Sequence, residues 1–128
     1  MWAGHRIGIC TYRRSFGPAF ASRMESGDPW FVGYGLRVTA FDPIDLKVIA
    51  ESSHQAGAFF AFVAAGAAYP LVGVFEAGVG AYEWRGALAW FQSIDDIITG
   101  WRIDGPVLEL TCYEGAQIQL ALTTGRRV

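Results

Sequence analysis

AGAFFAFVAAGAAYPLVGVF, residues Ala56 to Phe75, runs for twenty residues with no charge and no hydrogen-bonding side chain except the Tyr69 phenol. Such a run has two destinations, a lipid bilayer or the dry interior of a folded domain. Its punctuation helps to separate them. Ser52-Ser53-His54-Gln55 has the form of a capping box, with Ser52 able to accept from the backbone N–H three residues on and Gln55 able to reach back. Pro70 disfavours helical geometry at Tyr69. The pattern predicts a helix from about 53 to 68, which at ~1.5 Å per residue reaches roughly 24 Å, short of a ~30 Å hydrocarbon core. Seven alanines and three glycines make the run weakly hydrophobic for insertion, and its flanks lack basic anchors. Phe59, Phe62 and Val63 would form a bulky helical face, and Ala58, Ala61, Ala65 and Ala68 a small one, as a helix packed on a sheet requires. Leu71 to Phe75 then reads as a separate strand. Residues 56–75 lying in or on a membrane is the alternative.

Around this run the chain alternates in the manner of short strands. His5 to Arg14 is one, and Ser15 to Pro29, with its glycines, prolines and serines, reads as a loop. Trp30 to Phe41 (WFVGYGLRVTAF) is the clearest, with Trp30, Val32, Tyr34, Leu36, Val38 and Ala40 as its core face. Gly33 and Gly35 leave the opposite face bare, which signals a bend, a close backbone approach or a binding groove. Residues 44–51 fit helix and strand equally. After Pro70 the chain reads as an antiparallel meander with turns at Ala77-Gly78 and Arg85-Gly86 and a short strand at Leu88 to Phe91. Ser93-Ile94-Asp95-Asp96 suits a short helical turn, and Trp101 to Pro106 a loop turning at Asp104-Gly105. The final hairpin is the most regular piece. Leu108, Leu110, Cys112, Ile118, Leu120 and Leu122 fall on its apolar face, Glu109, Thr111, Gln117 and Gln119 on its polar one, with the turn at Glu114-Gly115. No repeat of fixed period and no linker is visible, so residues 1–128 read as a single α+β domain: an antiparallel sheet of about five to seven strands packed on one Ala/Phe-rich helix.

Composition narrows the function classes. Hydrophobic content of 52% with 17% charge excludes a disordered chain. Net charge is −2, and the ten basic residues are scattered, so no stripe suited to nucleic acid exists. Met1 to Arg14 lacks the apolar core of a secretory signal, which points to the cytoplasm and to free thiols at Cys10 and Cys112, although a bridge between them is not excluded by sequence. Those cysteines with His5 and His54 show no metal-ligand spacing, and no metal or cofactor is implied.

No phosphate loop, dinucleotide fingerprint, nucleophile elbow or zinc-protease helix is present. His54 reads as a first-turn polar residue before it reads as a general base. Asp95-Asp96 suits a helix start, and Glu76 and Glu83, flanking a turn, lack a cleft between them. No residue is assigned a catalytic role. The aromatic residues carry the functional signal: Trp30, Tyr34, Trp84, Trp90 and Trp101 at strand positions suit core or sheet-face packing first, and any rings beyond what one small core holds would form an apolar pocket or a partner surface.

The stretch VGVFEAGVGAYEWRGALAWFQSIDDI with GPVLEL and GAQIQLAL, residues 72–123, resembles the strand succession of small bacterial pleckstrin-homology-like domains, without their C-terminal helix. That resemblance implies a binding role and is compatible with an adjacent membrane segment. The function expected is a small non-enzymatic binding or protein-interaction module acting through sheet-face aromatics or self-association as a homodimer, a small apolar ligand being a further partner. The alternatives are a small α+β barrel enzyme with an aromatic-lined pocket and a membrane-associated subunit held by residues 56–75.

Overall fold

The computed structural model describes residues 10–13, 19–23 and 27–128, and these hold twelve antiparallel strands in three sheets and no helix. The first sheet contains β1 (Cys10–Arg13), β2 (Ala19–Ser22), β3 (Trp30–Tyr34), β4 (Arg37–Phe41) and β5 (Val48–Ser53), in that order. The second contains β6 (Phe59–Val63), β7 (Leu71–Phe75), β8 (Gly78–Tyr82) and β9 (Leu88–Ser93). The third contains β10 (Ile98–Asp104), β11 (Val107–Cys112) and β12 (Gln117–Ala121). The expected α+β architecture is therefore overturned in favour of an all-β one. Most of the first expected strand, His5 to Arg14, and part of the loop expected over 15–29 lie outside the described residues; within that loop, Ala19–Ser22 is a strand.

The expected helix over 53–68 is replaced by a connection, His54 to Ala58, and by β6. Gly57 at φ +76° breaks any helix there, and the pairing of β6 with β7 overrides the helical preference of the alanines. A bulge explains the misleading spacing. Phe59 pairs with Phe75, but Ala61 pairs with Val74 and Phe62 with Gly73, so one extra residue enters β6 between Phe59 and Ala61. Phe59 and Phe62 consequently face the first sheet while Phe60 and Val63 face the third. An interval of three residues on one face is a helical signature, and here a bulged strand produces it. No helix among the described residues is long and apolar enough to cross a membrane, and Leu71 to Phe75 lie fully buried between two sheets.

Residues Trp30 to Phe41 are not one strand but a hairpin. Gly35, at φ +60°, occupies the first of the two central turn positions, where the twist-compatible type II′ geometry requires glycine. Trp30 pairs with Phe41, Val32 with Thr39 and Tyr34 with Arg37, so an even position in β3 shares its face with an odd position in β4. The alternation expected across the whole segment inverts at the turn. Phe31, Gly33, Val38 and Ala40 form the core face; Trp30, Val32, Tyr34, Arg37, Thr39 and Phe41 point away from it. Residues 44–51 divide into a turn and the start of β5. Ser93 closes β9 where a helical turn was expected, and Trp101 to Asp104 belong to β10, which turns at Gly105-Pro106. The final hairpin has the expected faces, with Leu108, Leu110, Cys112, Ile118, Leu120 and Leu122 all buried.

The sheets stack as three layers around two cores. Ala21, Phe31, Val38 and Ala40 of the first sheet pack on Phe59, Phe62, Leu71, Phe75 and Tyr82 of the second. Val72, Val74 and Val79, from the second sheet's other face, pack on Leu108, Leu110, Cys112 and Leu120 of the third. Backbone hydrogen bonds expose a structural repeat that the sequence concealed. The His54 N–H donates to Leu36 O at 3.0 Å and Phe59 N–H to Gly35 O at 2.7 Å; about 40 residues on, Ile94 N–H donates to Ala77 O at 3.0 Å and Ile98 N–H to Glu76 O at 2.8 Å. Units are joined in turn by Ala77 N–H to Ala56 O at 2.7 Å and by Tyr113 N–H to Ile97 O at 2.8 Å. Each unit is a four-strand meander: β2 to β5, β6 to β9, and β10 to β12 followed by Arg126 to Val128, which pair back onto β12. β6 lies beside β2 and β3, whereas β5 and β9 are largely exposed, so the meanders lie like the blades of a β-propeller.

Candidate functional site

In a stack of three sheets the middle one has both faces covered and the outer two present one face each. The outer face of the first sheet is built from cross-strand rows. Phe20, Val32, Thr39 and Glu51 form one, Trp30 and Phe41 another, and Tyr34, Arg37 and Ser53 a third. Phe20, Trp30, Val32 and Phe41 are half-buried, while Tyr34 is 61% exposed. One polar group crosses this aromatic surface: Glu51 Oε2 accepts from Thr39 Oγ1 at 3.1 Å and lies 3.4 Å from Arg37 Nη1. Val48, opposite Phe41 at the start of β5, extends the apolar area, and the neighbouring turns add Leu36, Ile44 and Leu46, all exposed. That turn is held by Asp42, whose Oδ1 accepts from Ile44 N–H at 2.8 Å and whose backbone oxygen accepts from Leu46 N–H at 2.8 Å.

The outer face of the third sheet has the opposite chemistry. A shallow depression of about 690 Å³ is lined by Arg102, Glu109, Thr111, Gln117 and Gln119, with Val128 at its margin. Glu109 organises it, accepting from Arg102 Nε at 3.0 Å and from Gln119 Nε2 at 3.2 Å. A second concavity of about 410 Å³ lies between the β6–β7 and β8–β9 connections, lined by Arg23, Tyr69, Glu83, Trp84 and Arg85 among several alanines. Arg23 is held there by Asp28 at 2.8 Å and lies 5.6 Å from the centroid of the Trp84 ring.

The five aromatic residues expected to form a surface are not brought together. Trp30 and Tyr34 share the first sheet's outer face. Trp84 is buried between the first and second sheets, its Nε1–H donating to Tyr69 O at 2.9 Å. Trp90 donates to Leu122 O at 2.9 Å, and Trp101 stacks on Phe60 with ring centroids 6.2 Å apart; both pack against the second core. Sequence reasoning missed Phe20, Val32, Phe41, Arg37 and Glu51. The signal for the hairpin residues was the glycine at position 35, which marks a turn and reverses which face is outward.

The titratable residues weighed for chemistry occupy structural positions. His54 stacks on Phe91 at 3.8 Å and meets Phe75 edge-on at 5.9 Å, and this burial lowers its pKa. It lines neither concavity, and its Nε2, like Ser52 Oγ and Tyr82 Oη, has no hydrogen-bond partner. Burial pushes the Tyr82 phenol up to about 12; the Ser52 hydroxyl lies close enough to oppose that shift, although the two oxygens do not meet in hydrogen-bond geometry. Glu76 and Glu83 do not face each other, because β8 separates them by on the order of 20 Å. The Asp96 carboxylate accepts from Ile97 N–H at 2.7 Å and from Glu114 N–H at 2.9 Å, fastening the β9–β10 connection to the β11–β12 turn. Cys112 is a free thiol facing the second sheet, and burial raises its pKa.

The strand succession over 72–123 that resembles a pleckstrin-homology-like domain spans parts of two stacked sheets. Neither a family model nor a curated protein matches the chain.

Proposed function

We propose that this chain is a non-enzymatic protein-interaction module whose binding surface is the outer face of its first sheet. One observation carries this reading. Trp30, Val32, Tyr34 and Phe41 occupy the repeat positions that are filled by Leu71, Gly73, Phe75 and Tyr82 in the second sheet and by Leu108, Leu110, Cys112 and Leu120 in the third. In the second and third sheets those positions are buried by the preceding sheet. In the first sheet they hold two large aromatics and a tyrosine, a composition suited to a buried partner contact with a polar rim. The Arg37–Glu51 pair and Thr39 supply the polar groups that fix register without dominating affinity. The free thiol of Cys112 fits a reducing compartment, and a cytoplasmic location belongs to the same proposal.

A photo-crosslinking amino acid placed at Tyr34 tests this, with Leu88 as the control because it is 41% exposed on a sheet whose faces are both covered. Irradiation is expected to give protein adducts from position 34 and none from position 88. Equal yields from the two positions would refute the proposal.

A further inference from the structure

We propose that the β4–β5 turn is a knob that inserts into the recess lined by Tyr69 and Trp84 of a second copy of this chain, so that two copies pair reciprocally. The contact is separate from the first sheet's outer face and goes beyond the interaction reading above. Three turns, one closing the last strand pair of each unit, are built alike. The Asp42, Glu83 and Ala121 N–H groups donate to the carbonyls of Lys47, Ala87 and Arg126 at 2.8, 2.7 and 2.8 Å. The Leu46, Gly86 and Gly125 N–H groups donate back to the carbonyls of Asp42, Glu83 and Ala121 at 2.8, 2.8 and 2.7 Å. Leu46, Gly86 and Gly125 all have positive φ, +61°, +116° and +74°. Glycine suits that geometry, whereas the Cβ of a leucine crowds the following carbonyl oxygen. The fold does not account for the leucine, whose side chain is 69% exposed beside Ile44 at 90% and Val48 at 63%. The equivalent turns expose Arg85 or Thr123 and Thr124 instead. Strain held at an exposed apolar tip marks a contact made outside the chain. The tip is also stiff: Asp42 Oδ1 accepts from Ile44 N–H at 2.8 Å and Asp45 Oδ1 from Lys47 N–H at 3.0 Å, so binding has little left to order.

The chain itself offers the matching recess. The concavity of about 410 Å³ has walls of Ala67, Ala68, Tyr69, Pro70 and Ala89, and its size suits the Ile44 and Leu46 side chains. Its charges also match. The exposed Asp45 and Lys47 of the knob are opposite in sign to the exposed Arg85 and Glu83 of the recess, while Arg23 there is held by Asp28 at 2.8 Å. The carboxylates of Asp42 and Asp45, next to the apolar tip, oppose its entry into hydrocarbon and favour a protein recess over a bilayer. Trp30 pairs with Phe41 and Leu71 with Tyr82, so the knob after Phe41 and the recess around 67–70 and 83–85 lie at the same end of the stack. Two copies set end to end about a two-fold axis each give a knob and receive one, and such a contact closes at two copies.

Sedimentation equilibrium of the purified chain tests the pairing, with each variant checked for native circular dichroism. The wild type is expected to be a dimer. Leu46→Gly is expected to weaken it by about tenfold or more, yet to melt at or above the wild-type temperature when both are diluted to monomers, because glycine relieves the strained φ. Ala68→Arg, which fills the recess from an exposed position, is expected to weaken the dimer by about as much. A mixture of the two variants is expected to form a heterodimer tighter than either homodimer, since one knob and one recess are then intact. Tyr34 lies at the opposite end of the β3–β4 hairpin and Leu88 does not line the recess, so crosslinking from those positions reports separately on the first sheet's outer face. Association unchanged in Leu46→Gly, association lost there but kept in Ala68→Arg, or a mixture without heterodimer would overturn the proposal. A monomeric wild type would overturn it too, and its sedimentation with phosphatidylcholine vesicles would assign the turn to a lipid surface instead.

Discussion

Gly33→Ala probes the joint between the first two sheets at its tightest point. A Cβ at position 33 would lie 2.3 Å from Phe59 Cε2 and 2.5 Å from its Cζ, so the ring must withdraw by about 1 Å to reach ordinary contact. It has little room. The ring already rests on Gly73, where an added Cβ would fall 3.1 Å from Phe59 Cε1, and it touches Phe62 and Phe75 at centroid separations of 4.7 and 5.1 Å. At Gly33, the bare strip that suggested a groove in the sequence is thus occupied by a phenylalanine of the neighbouring sheet, while Gly35 serves the turn. Overpacking of this kind costs about 1–3 kcal/mol, and removing a glycine from the unfolded chain returns about 0.4–1 kcal/mol. The net expectation is a loss of about 1–2 kcal/mol and a fall in Tm of about 4–8 °C. Urea unfolding followed by tryptophan fluorescence measures it, at fixed protein concentration so that association does not contribute.

Two companions make the result interpretable. Gly100→Ala, where the nearest atom is Thr111 Cβ at 3.8 Å, should stay within about 0.5 kcal/mol of wild type. Phe59→Leu with Gly33→Ala should be less destabilising than the sum of the single changes by about 0.5–1 kcal/mol or more, since the smaller side chain vacates the contested volume. Unchanged stability in Gly33→Ala, or strict additivity with Phe59→Leu, would refute the close-approach reading.

Two further perturbations address the polar groups between the sheets. The His54 pKa lies below its ordinary 6.5, so below that pH the unfolded chain binds the proton more readily than the native one; stability should be full above about pH 6.5 and decline as pH falls, and a urea–pH series should show a flatter slope in His54→Phe. Tyr82→Phe removes a buried hydroxyl that has no partner, so stability should change by less than about 0.5 kcal/mol or rise, and an alkaline absorbance titration should lose the phenol that ionises near 12; a loss above about 1.5 kcal/mol would show that the hydroxyl is bonded.

The parts of the fold legible in the sequence are those in which one face is wet. The final hairpin alternates Leu108, Leu110 and Cys112 with Glu109 and Thr111 because the third sheet has a core side and a solvent side, and period-two patterning records that difference. The second sheet is buried on both sides. Its β7 and β8, LVGVF and GVGAY, carry no polar alternation at all, and β7 with β6 and the alanine-rich connection between them imitates an uncharged spanning run. Within that run the bulge in β6 put Phe59 and Phe62 at a helical interval. Two local irregularities, that bulge and the Gly35 turn, therefore account for both the mistaken helix and the mistaken core face of residues 30–41.

The repeat stayed hidden for a different reason. Equivalent positions are conserved in role and not in identity, because adjoining sheets share volume across each joint. Gly73 stands where the third sheet has Leu110, and the space it leaves is taken by Phe59 from β6. Gly80 stands where the third sheet has Ile118, and Tyr82 Oη would lie 2.7 Å from a Cβ placed there, so the tyrosine of the same strand fills that gap. A small residue in one strand is answered by a large one next to it, and a comparison of single positions finds no period. The backbone has no such freedom. Each connection between units must satisfy the same orphan N–H groups at the adjoining turns, which is why His54 and Ile94 donate to equivalent carbonyls although their side chains have nothing in common. The same logic bears on the candidate surface: Trp30, Tyr34 and Phe41 fill places that leucine, phenylalanine, cysteine and tyrosine fill in the second and third sheets, where a preceding sheet covers them.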